Sequence, residues 1–365
     1  MDTYIFGAKA TAAGLYKALI VLEPEKRIKA FLISKAEENV SEIWGCPVKV
    51  LSEVAETLTD AEKAEVLVYV AVPELVHRES RQYLENFGFQ NLIMLDSRME
   101  ADLMGRYFDM DGRFKRIHSL GIQNRNSIPP KLTVYAASFY KDKQLEKPSK
   151  LPAYIKKLYL GCEGAEADGI DIRGCADFYD NTGDNISVKN PNRCEMTAHY
   201  WVWKNRLDTD DEYVGICHYR RVLDLSEDDL RRMQENDIDV VLPYPMVHYP
   251  CARIHHTWYV REKDWELMKW VVCELYPEYG VKFEEVFDEP EFYNYNILLA
   301  KKKVFADYCA WLYPILDRVE ELSDPRGNER CDRYTAYMSE SLETLYFMTN
   351  VTNLKIYHTG RLLYT

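Results

Sequence analysis

The chain has 365 residues and a formal net charge of −13, with 47% apolar and 29% charged side chains. That length is enough for two separate cores, and the composition is that of an ordinary soluble globular protein. With no basic excess to neutralise a phosphate backbone, a nucleic-acid partner is not expected. Nine cysteines stand without a CxxC pair or a paired Cys/His spacing. Neither a zinc site nor a disulfide framework is therefore expected, and the odd count fits reduced thiols in a cytoplasm. No stretch of about 18 apolar residues occurs, and the start lacks a basic region followed by an apolar core. The expectation is a cytoplasmic protein that touches at most the inner face of a membrane. Aromatic content of 13%, with 27 Tyr and 7 Trp, suits carbohydrate sites, although Tyr also fills cores.

In chain order, residues 3–7, 27–34, 66–72 and 91–95 read as strands, and 11–22 and 77–87 as helices. This β-α-β rhythm predicts a parallel, doubly wound sheet over residues 1–110. The turn after the first strand, Gly7-Ala8-Lys9-Ala10-Thr11-Ala12-Ala13-Gly14, has the position of a dinucleotide loop. Lys9 and Ala12 replace the second and third glycines of G-x-G-x-x-G, so the backbone lacks the close approach a pyrophosphate needs. No NAD is expected. The runs YIFGAKATAAGLYKAL, GCPV at 45–48 and VYVAVP at 68–73 resemble the small Rossmann-like domain in front of some bacterial sugar-modifying enzymes, including certain sugar acetyltransferases.

Residues 111–131 are polar and basic (Arg113, Lys115, Arg116, Arg125) and close with Pro129-Pro130. The stretch reads as a linker, with contact to anionic lipid headgroups as the alternative use of its charge. A second α/β unit is expected over 132–365. Its strands are placed at 132–138, 155–161, 213–217, 238–243 and 292–300, and its helices at 192–205, 227–234, 258–275, 304–322 and 332–348.

Within this unit, residues 180–221 carry most of the chemistry. The loop Asp180, Asn181, Thr182, Gly183, Asp184, Asn185 cannot build a core, so its side chains face a ligand, solvent or one another. Lys189 either contacts a ligand or is solvated. Asn192 and Glu195 have capping-box spacing for the following helix, and Glu195 is otherwise a site carboxylate. The apolar run 213–217 leads straight into His218-Tyr219-Arg220-Arg221. Ligands of an open α/β sheet bind off the carboxyl ends of its strands, and fork-shaped guanidinium donors match phosphate oxygens.

Asp208-Thr209-Asp210-Asp211 and Asp237-Ile238-Asp239 precede their strands and read as solvated turns. No metal ligands are assigned, while Mn or Mg held by Asp180, Asp184 and Glu195 stays open. Arg333, Tyr337 and Glu340 share one helix face at i, i+4 and i+7. Glu340 is the candidate general base, or else half of a surface ion pair. His248 and His255-His256 are weaker candidates.

The runs DNTGDNIS, KNPNRCEMTAHYWVWKN, YVGICHYRR, DVVLP, NYNILLAKKKVFADYCAWLYPIL and RYTAYMSESL together resemble a bacterial glycosyltransferase family of capsular and exopolysaccharide gene clusters, long labelled a domain of unknown function. The resemblance covers about 132–365. Ala336 and Ser341 depart from the family's R-x-x-G-x-x-x-E-R-L pattern, and Phe139-Tyr140-Lys141 stands where a His-Lys pair is frequent. The resemblance implies a GT-A-like α/β glycosyltransferase domain that moves a sugar from a nucleotide diphosphate to an oligosaccharide or lipid-linked glycan acceptor. In that scheme Asp180, Asn181, Asp184, Asn185, Lys189, Glu195 and Arg333 seat the donor. His218 is catalytic, as imidazolium or as a neutral hydrogen-bond donor, and with Arg220 and Arg221 faces the diphosphate; Glu340 activates the acceptor. A non-catalytic glycan- or nucleotide-binding regulatory protein is the alternative. A nicotinamide-dependent sugar oxidoreductase is disfavoured by the broken glycine pattern.

Overall fold

The computed structural model describes residues 2–35, 40–143, 145 and 151–364 of a mixed α/β protein. The chain divides into two compact units. The first holds Met1–Arg113, Tyr244–Ile254 and Pro290–Phe292; the second holds Phe114–Pro243, His255–Glu289 and Tyr293–Thr365.

The first unit is built on parallel strands in the order Cys46–Val50, Arg27–Ile33, Asp2–Phe6, Leu67–Val70, Leu92–Met94, with Glu42–Ile43 antiparallel at one edge. Along these strands successive side chains enter different cores. Ile5, Phe31 and Tyr69 join Leu15 and Leu19, whereas Phe6, Leu32 and Val70 join Leu51 and Leu84. A sheet buried on both faces needs such continuous apolar runs. The short strand Met246–Val247 pairs with Glu291–Phe292 inside this unit, and Tyr249 packs edge-on against Trp44 at 5.2 Å.

The second unit carries a mixed sheet in the order Ile356–Thr359, Val240–Pro243, Leu298–Lys301, Tyr213–His218, Leu132–Phe139, Ile155–Leu160, Phe178–Tyr179. Leu298–Lys301 is antiparallel to both neighbours, and the other pairs are parallel. Tyr213–His218 lies in the middle. A Cβ on Gly215 would meet the Leu298 carbonyl oxygen at 2.7 Å, so the close approach of these two strands requires glycine there. The helix Tyr334–Thr349 is buried around almost its whole circumference, Glu340 and Glu343 included.

Four expectations change. The 111–131 stretch is packed structure in the second unit from Phe114 onward, with Phe114 and Ile117 buried. Its polar groups bind the helix Glu227–Glu235: Ser127 Oγ and the Gln123 N–H both donate to Glu235 at 2.7 Å, and Arg232 Nε donates to the Leu120 carbonyl at 2.8 Å. The 292–300 strand is two pieces, Glu291–Phe292 and Leu298–Lys301, because Tyr295 and Asn296 take φ of 79° and 50° between them. The 258–275 helix divides into His256–Tyr259 and Glu262–Leu275.

The 192–205 helix begins only at Met196, after a separate turn Asn190–Arg193 and a break at Cys194 with φ of 43°. Asn192 does not cap it: its amide donates to the Gly327 carbonyl at 2.5 Å and its oxygen accepts the Arg333 N–H at 3.0 Å. Among the described residues no helix is long and apolar enough to cross a membrane.

Candidate active site

A cavity of about 440 Å³ opens at the carboxyl ends of Leu132–Phe139 and Tyr213–His218. The His218-Tyr219-Arg220-Arg221 run shapes one wall. His218 pairs with Arg221 across an antiparallel register, leaving Tyr219 and Arg220 as the tip of a two-residue turn. Residues directly opposite in such a pair project from the same face, and both reach Tyr295. The Arg221 guanidinium lies 4.5 Å from the Tyr295 ring centroid, as does that of Arg361.

Arg220 rests over Tyr219 at 5.5 Å, and its buried Nε has no hydrogen-bond partner among the described residues. Arg333 enters the cavity from the start of the Tyr334–Thr349 helix. Among the described residues, none of Arg220, Arg221 and Arg333 forms an ion pair. Burial, and then the repulsion of Arg361 and Arg220, holds Arg221 below the ordinary guanidinium value. Three guanidiniums thus line the cavity without an ion pair among the described residues. Asp142, also in the lining, attracts Arg220 and Arg333 from a distance, and its N–H partner is Phe139 at 2.7 Å.

His218 does not add to this positive charge. Its Nε2 lies 2.8 Å from the Tyr295 carbonyl oxygen. A carbonyl only accepts, so Nε2 carries the hydrogen and donates it. Burial first, then Arg221, pushes the imidazole down to about 3, so it is neutral. Of the two forms expected of His218, imidazolium or neutral donor, the neutral one matches this setting; the ring lines the cavity and its Nε2 hydrogen bond goes to the Tyr295 carbonyl.

The opposite wall carries two carboxyls. Glu340 Oε1 accepts the Tyr295 N–H at 2.8 Å, and Oε2 lies 3.3 Å from His255 Nε2. Burial, reinforced by Glu195, pushes Glu340 up to about 8. Glu195 Oε1 accepts from Asn296 Nδ2 at 2.6 Å, and burial raises its pKa as well. Thus Glu195 serves the cavity and no capping box. On the rim, Tyr259 and Tyr337 stack with centroids 4.3 Å apart.

The backbone around the cavity is strained. Cys194, Tyr295, Asn296 and Arg333 all adopt positive φ, between 43° and 79°. Each costs a non-glycine residue about 1–2 kcal/mol and persists only where other contacts impose it.

Five expected donor contacts lie outside the cavity. The Asp180 carboxylate is fully buried and accepts from the Gly161 and Cys162 N–H groups at 2.9 and 3.0 Å, Ser187 Oγ at 2.6 Å and Thr197 Oγ1 at 2.8 Å. Asn181 donates to Glu166, Asp184 accepts from Tyr200, and Asn185 closes its own turn by accepting the Ser187 N–H. Lys189 pairs with Glu320 and Asp317 at 3.3 and 3.5 Å beside the buried Arg193. These side chains are consumed in folding the loop.

Asp180, Asp184 and Glu195 therefore do not converge on one metal, because their oxygens serve different partners. Asp237 and Asp239 both pair with Lys301, and Asp211 accepts from Thr133. Among the described residues, no three His, Cys, Asp or Glu side chains gather as metal ligands. Three further residues, not named from the sequence, line or support the cavity: Asp142, whose carboxylate accepts the Phe139 N–H at 2.7 Å, Tyr259 and Asn296. For Asn296 a signal existed: asparagine tolerates left-handed backbone, and Asn294-Tyr295-Asn296 interrupts an otherwise apolar run.

Residues 143–351 match the family model "Domain of unknown function (DUF4422)". The chain belongs to the DUF4422 family. The DUF4422 span includes both cavity walls, the hairpin with Arg220 and Arg221 and the helix with Glu340, while the Leu132–Phe139 strand lies ahead of it. No curated protein matches the chain. It is similar to the apo structure of the bifunctional glycosyltransferase WbbM, with 28% identity and a TM-score of 0.52 over 64% of this chain. The match spans 45% of that protein's chain.

Proposed function

We propose that this protein is a glycosyltransferase that moves a sugar from a nucleotide diphosphate donor to a glycan acceptor. The observation that carries the proposal is the set of three guanidiniums, with no ion pair among the described residues, that share a cavity with Asp142, Glu195 and Glu340 at the carboxyl ends of parallel strands. The similarity to WbbM, a bifunctional glycosyltransferase, supports the same class. In this reading Arg220, Arg221 and Arg333 bind the donor diphosphate. Their charge is worth most as the leaving phosphate gains negative charge, and that difference accelerates the step. Glu340 takes the proton of the acceptor hydroxyl, so its own proton must first leave.

We further read the C-terminal unit as GT-A-like and the N-terminal unit as Rossmann-like. The acceptor is an oligosaccharide or lipid-linked glycan of a capsule or exopolysaccharide, and the reaction takes place in the cytoplasm near the inner membrane face. The test is to incubate the protein with a panel of nucleotide sugars and measure free nucleoside diphosphate. One donor should give turnover. Absence of turnover with every donor, alongside retained glycan binding, would overturn the proposal in favour of a binding module.

A further inference from the structure

The strand Tyr213–His218 pairs with Leu298–Lys301 only as far as Ile216 opposite Leu298. Antiparallel continuation would bring residues 296 and 297 opposite His218 and Cys217 and close the end of the sheet. Instead, Tyr295 and Asn296 turn into left-handed backbone, with φ of 79° and 50°. Both main-chain groups of Tyr295 leave the ladder. The carbonyl accepts from His218 at 2.8 Å and the N–H donates to Glu340 at 2.8 Å. The next side chain, Asn296, donates to Glu195 at 2.6 Å, and its buried Oδ1 has no partner among the described residues. The Tyr295 ring lies 4.5 Å from both Arg221 and Arg361.

We propose that Tyr295 and Asn296 are the positioning residues of this site: the turn sets where Arg221 stands relative to Glu340 and Glu195. This rests on the glycosyltransferase reading and adds to it. Asparagine tolerates left-handed backbone but tyrosine does not, so the turn at Tyr295 is held by the contacts that it and Asn296 make with His218, Glu340 and Glu195. Local strain of this kind is retained where surrounding contacts and function both demand it. The ring gives Arg221 a rigid face to lie on, which keeps its fork directed at a phosphate. The asparagine holds one carboxyl, and the tyrosine amide holds the other.

The test uses substitutions that keep the backbone conformation. Glycine accepts positive φ, so Tyr295→Gly removes the ring and Asn296→Gly removes the amide without added strain. Tyr295→Phe retains the ring. Binding of UDP, GDP, ADP and CDP is measured by calorimetry, kcat and KM by diphosphate release, and folding by melting temperature.

Tyr295→Gly should weaken the preferred nucleoside diphosphate by about 10-fold, with Tyr295→Phe recovering most of that loss. Asn296→Gly should lower kcat far more than it weakens the nucleotide. Equal damage by Phe and Gly at position 295, or wild-type affinity in Tyr295→Gly, would overturn the inference while leaving the glycosyltransferase reading intact. A wild-type protein that binds none of the four nucleotides would end that reading, and the inference with it.

Discussion

Asn192 and Arg333, far apart in sequence, are joined by a 3.0 Å hydrogen bond from the Arg333 N–H to the Asn192 side-chain oxygen. Arg333 has φ of 62° at the head of the Tyr334–Thr349 helix, so this contact fixes the residue in a conformation it does not prefer. Asn192 is 2% exposed, and its amide also holds the Gly327 carbonyl. Asn192→Ala should lower unfolding free energy by about 2–3 kcal/mol through orphaned buried groups. It should also weaken nucleoside diphosphate binding. An unchanged urea midpoint would show that the contact holds nothing.

Asp180 is expected to act on stability and not on the donor. Its carboxylate gathers four donors from Gly161, Cys162, Ser187 and Thr197. Asp180→Ala leaves them unpaired and should cost roughly 3 kcal/mol or more. Urea denaturation reads this directly. A variant with a normal midpoint that nonetheless fails to bind nucleotide would return Asp180 to the donor site.

Glu340 makes stability fall as pH rises. Its ordinary value is 4.5 and its folded value about 8. Between these, the folded protein keeps a proton that the unfolded chain has released. The unfolded state then binds fewer protons, so unfolding free energy declines with pH across that window. Glu340→Gln stays neutral in both states and should remove roughly a few kcal/mol of that decline. Urea midpoints at pH 5, 7 and 9 would measure it, and parallel curves for the two proteins would contradict it. Turnover should rise with pH toward 8 in the wild type, and the glutamine variant should be nearly inactive.

The opposite sign holds for His218. Its ordinary value is 6.5 and its folded value about 3, so below 6.5 the unfolded chain takes up a proton that the folded protein refuses. Stability from the buried neutral ring is present above 6.5 and is lost as pH falls through that window. His218→Gln keeps a donor for the Tyr295 carbonyl and should lack this acid-side loss. His218→Ala, without a donor, should be the more damaging to turnover. A limb in the pH–rate profile near 6 that vanishes in His218→Gln would show that the imidazole titrates in the working enzyme.

For Arg221, charge alone should not suffice. Lysine lacks the planar group that lies over Tyr295 and the fork that grips two phosphate oxygens. Arg221→Lys should weaken nucleoside diphosphate binding by about 10-fold, and Arg221→Met by more. Calorimetry at two salt concentrations checks both, since the methionine variant should also show a shallower salt dependence. Equal affinity for the wild type and Arg221→Lys would mean that the guanidinium makes no bidentate contact.

The regular elements were legible because their signals are local: the short apolar run at 213–217 reads as a buried strand, and His218 to Arg221 follow it by chain connectivity alone. For the polar loop the sequence leaves two uses open, a ligand or its own turn, for an equally physical reason. Asp180 and Lys189 look like ligands until their partners, Ser187 and Thr197 for one and Glu320 for the other, are brought to them by folding. Spacing also could not tell that Asn192 and Glu195 turn away from the helix they precede. Their partners, Arg333 and Asn296, lie more than a hundred residues on. Tyr295 was hidden inside a run of β-formers, and only its flanking asparagines hinted at the turn.

The three-part make-up of the first unit limits how this gene can be cut. Tyr244–Ile254 and Pro290–Phe292 belong with residues 1–113, where Tyr249 meets Trp44 and Val247 lies beside Gly14. A fragment starting at Phe114 would carry those two segments without their core, and one ending at Arg113 would lack them. Recombination between relatives at a single crossover near residue 113 would pair segments that had not been selected together. Exchange of the first unit as a whole calls for crossovers on both sides of each insert.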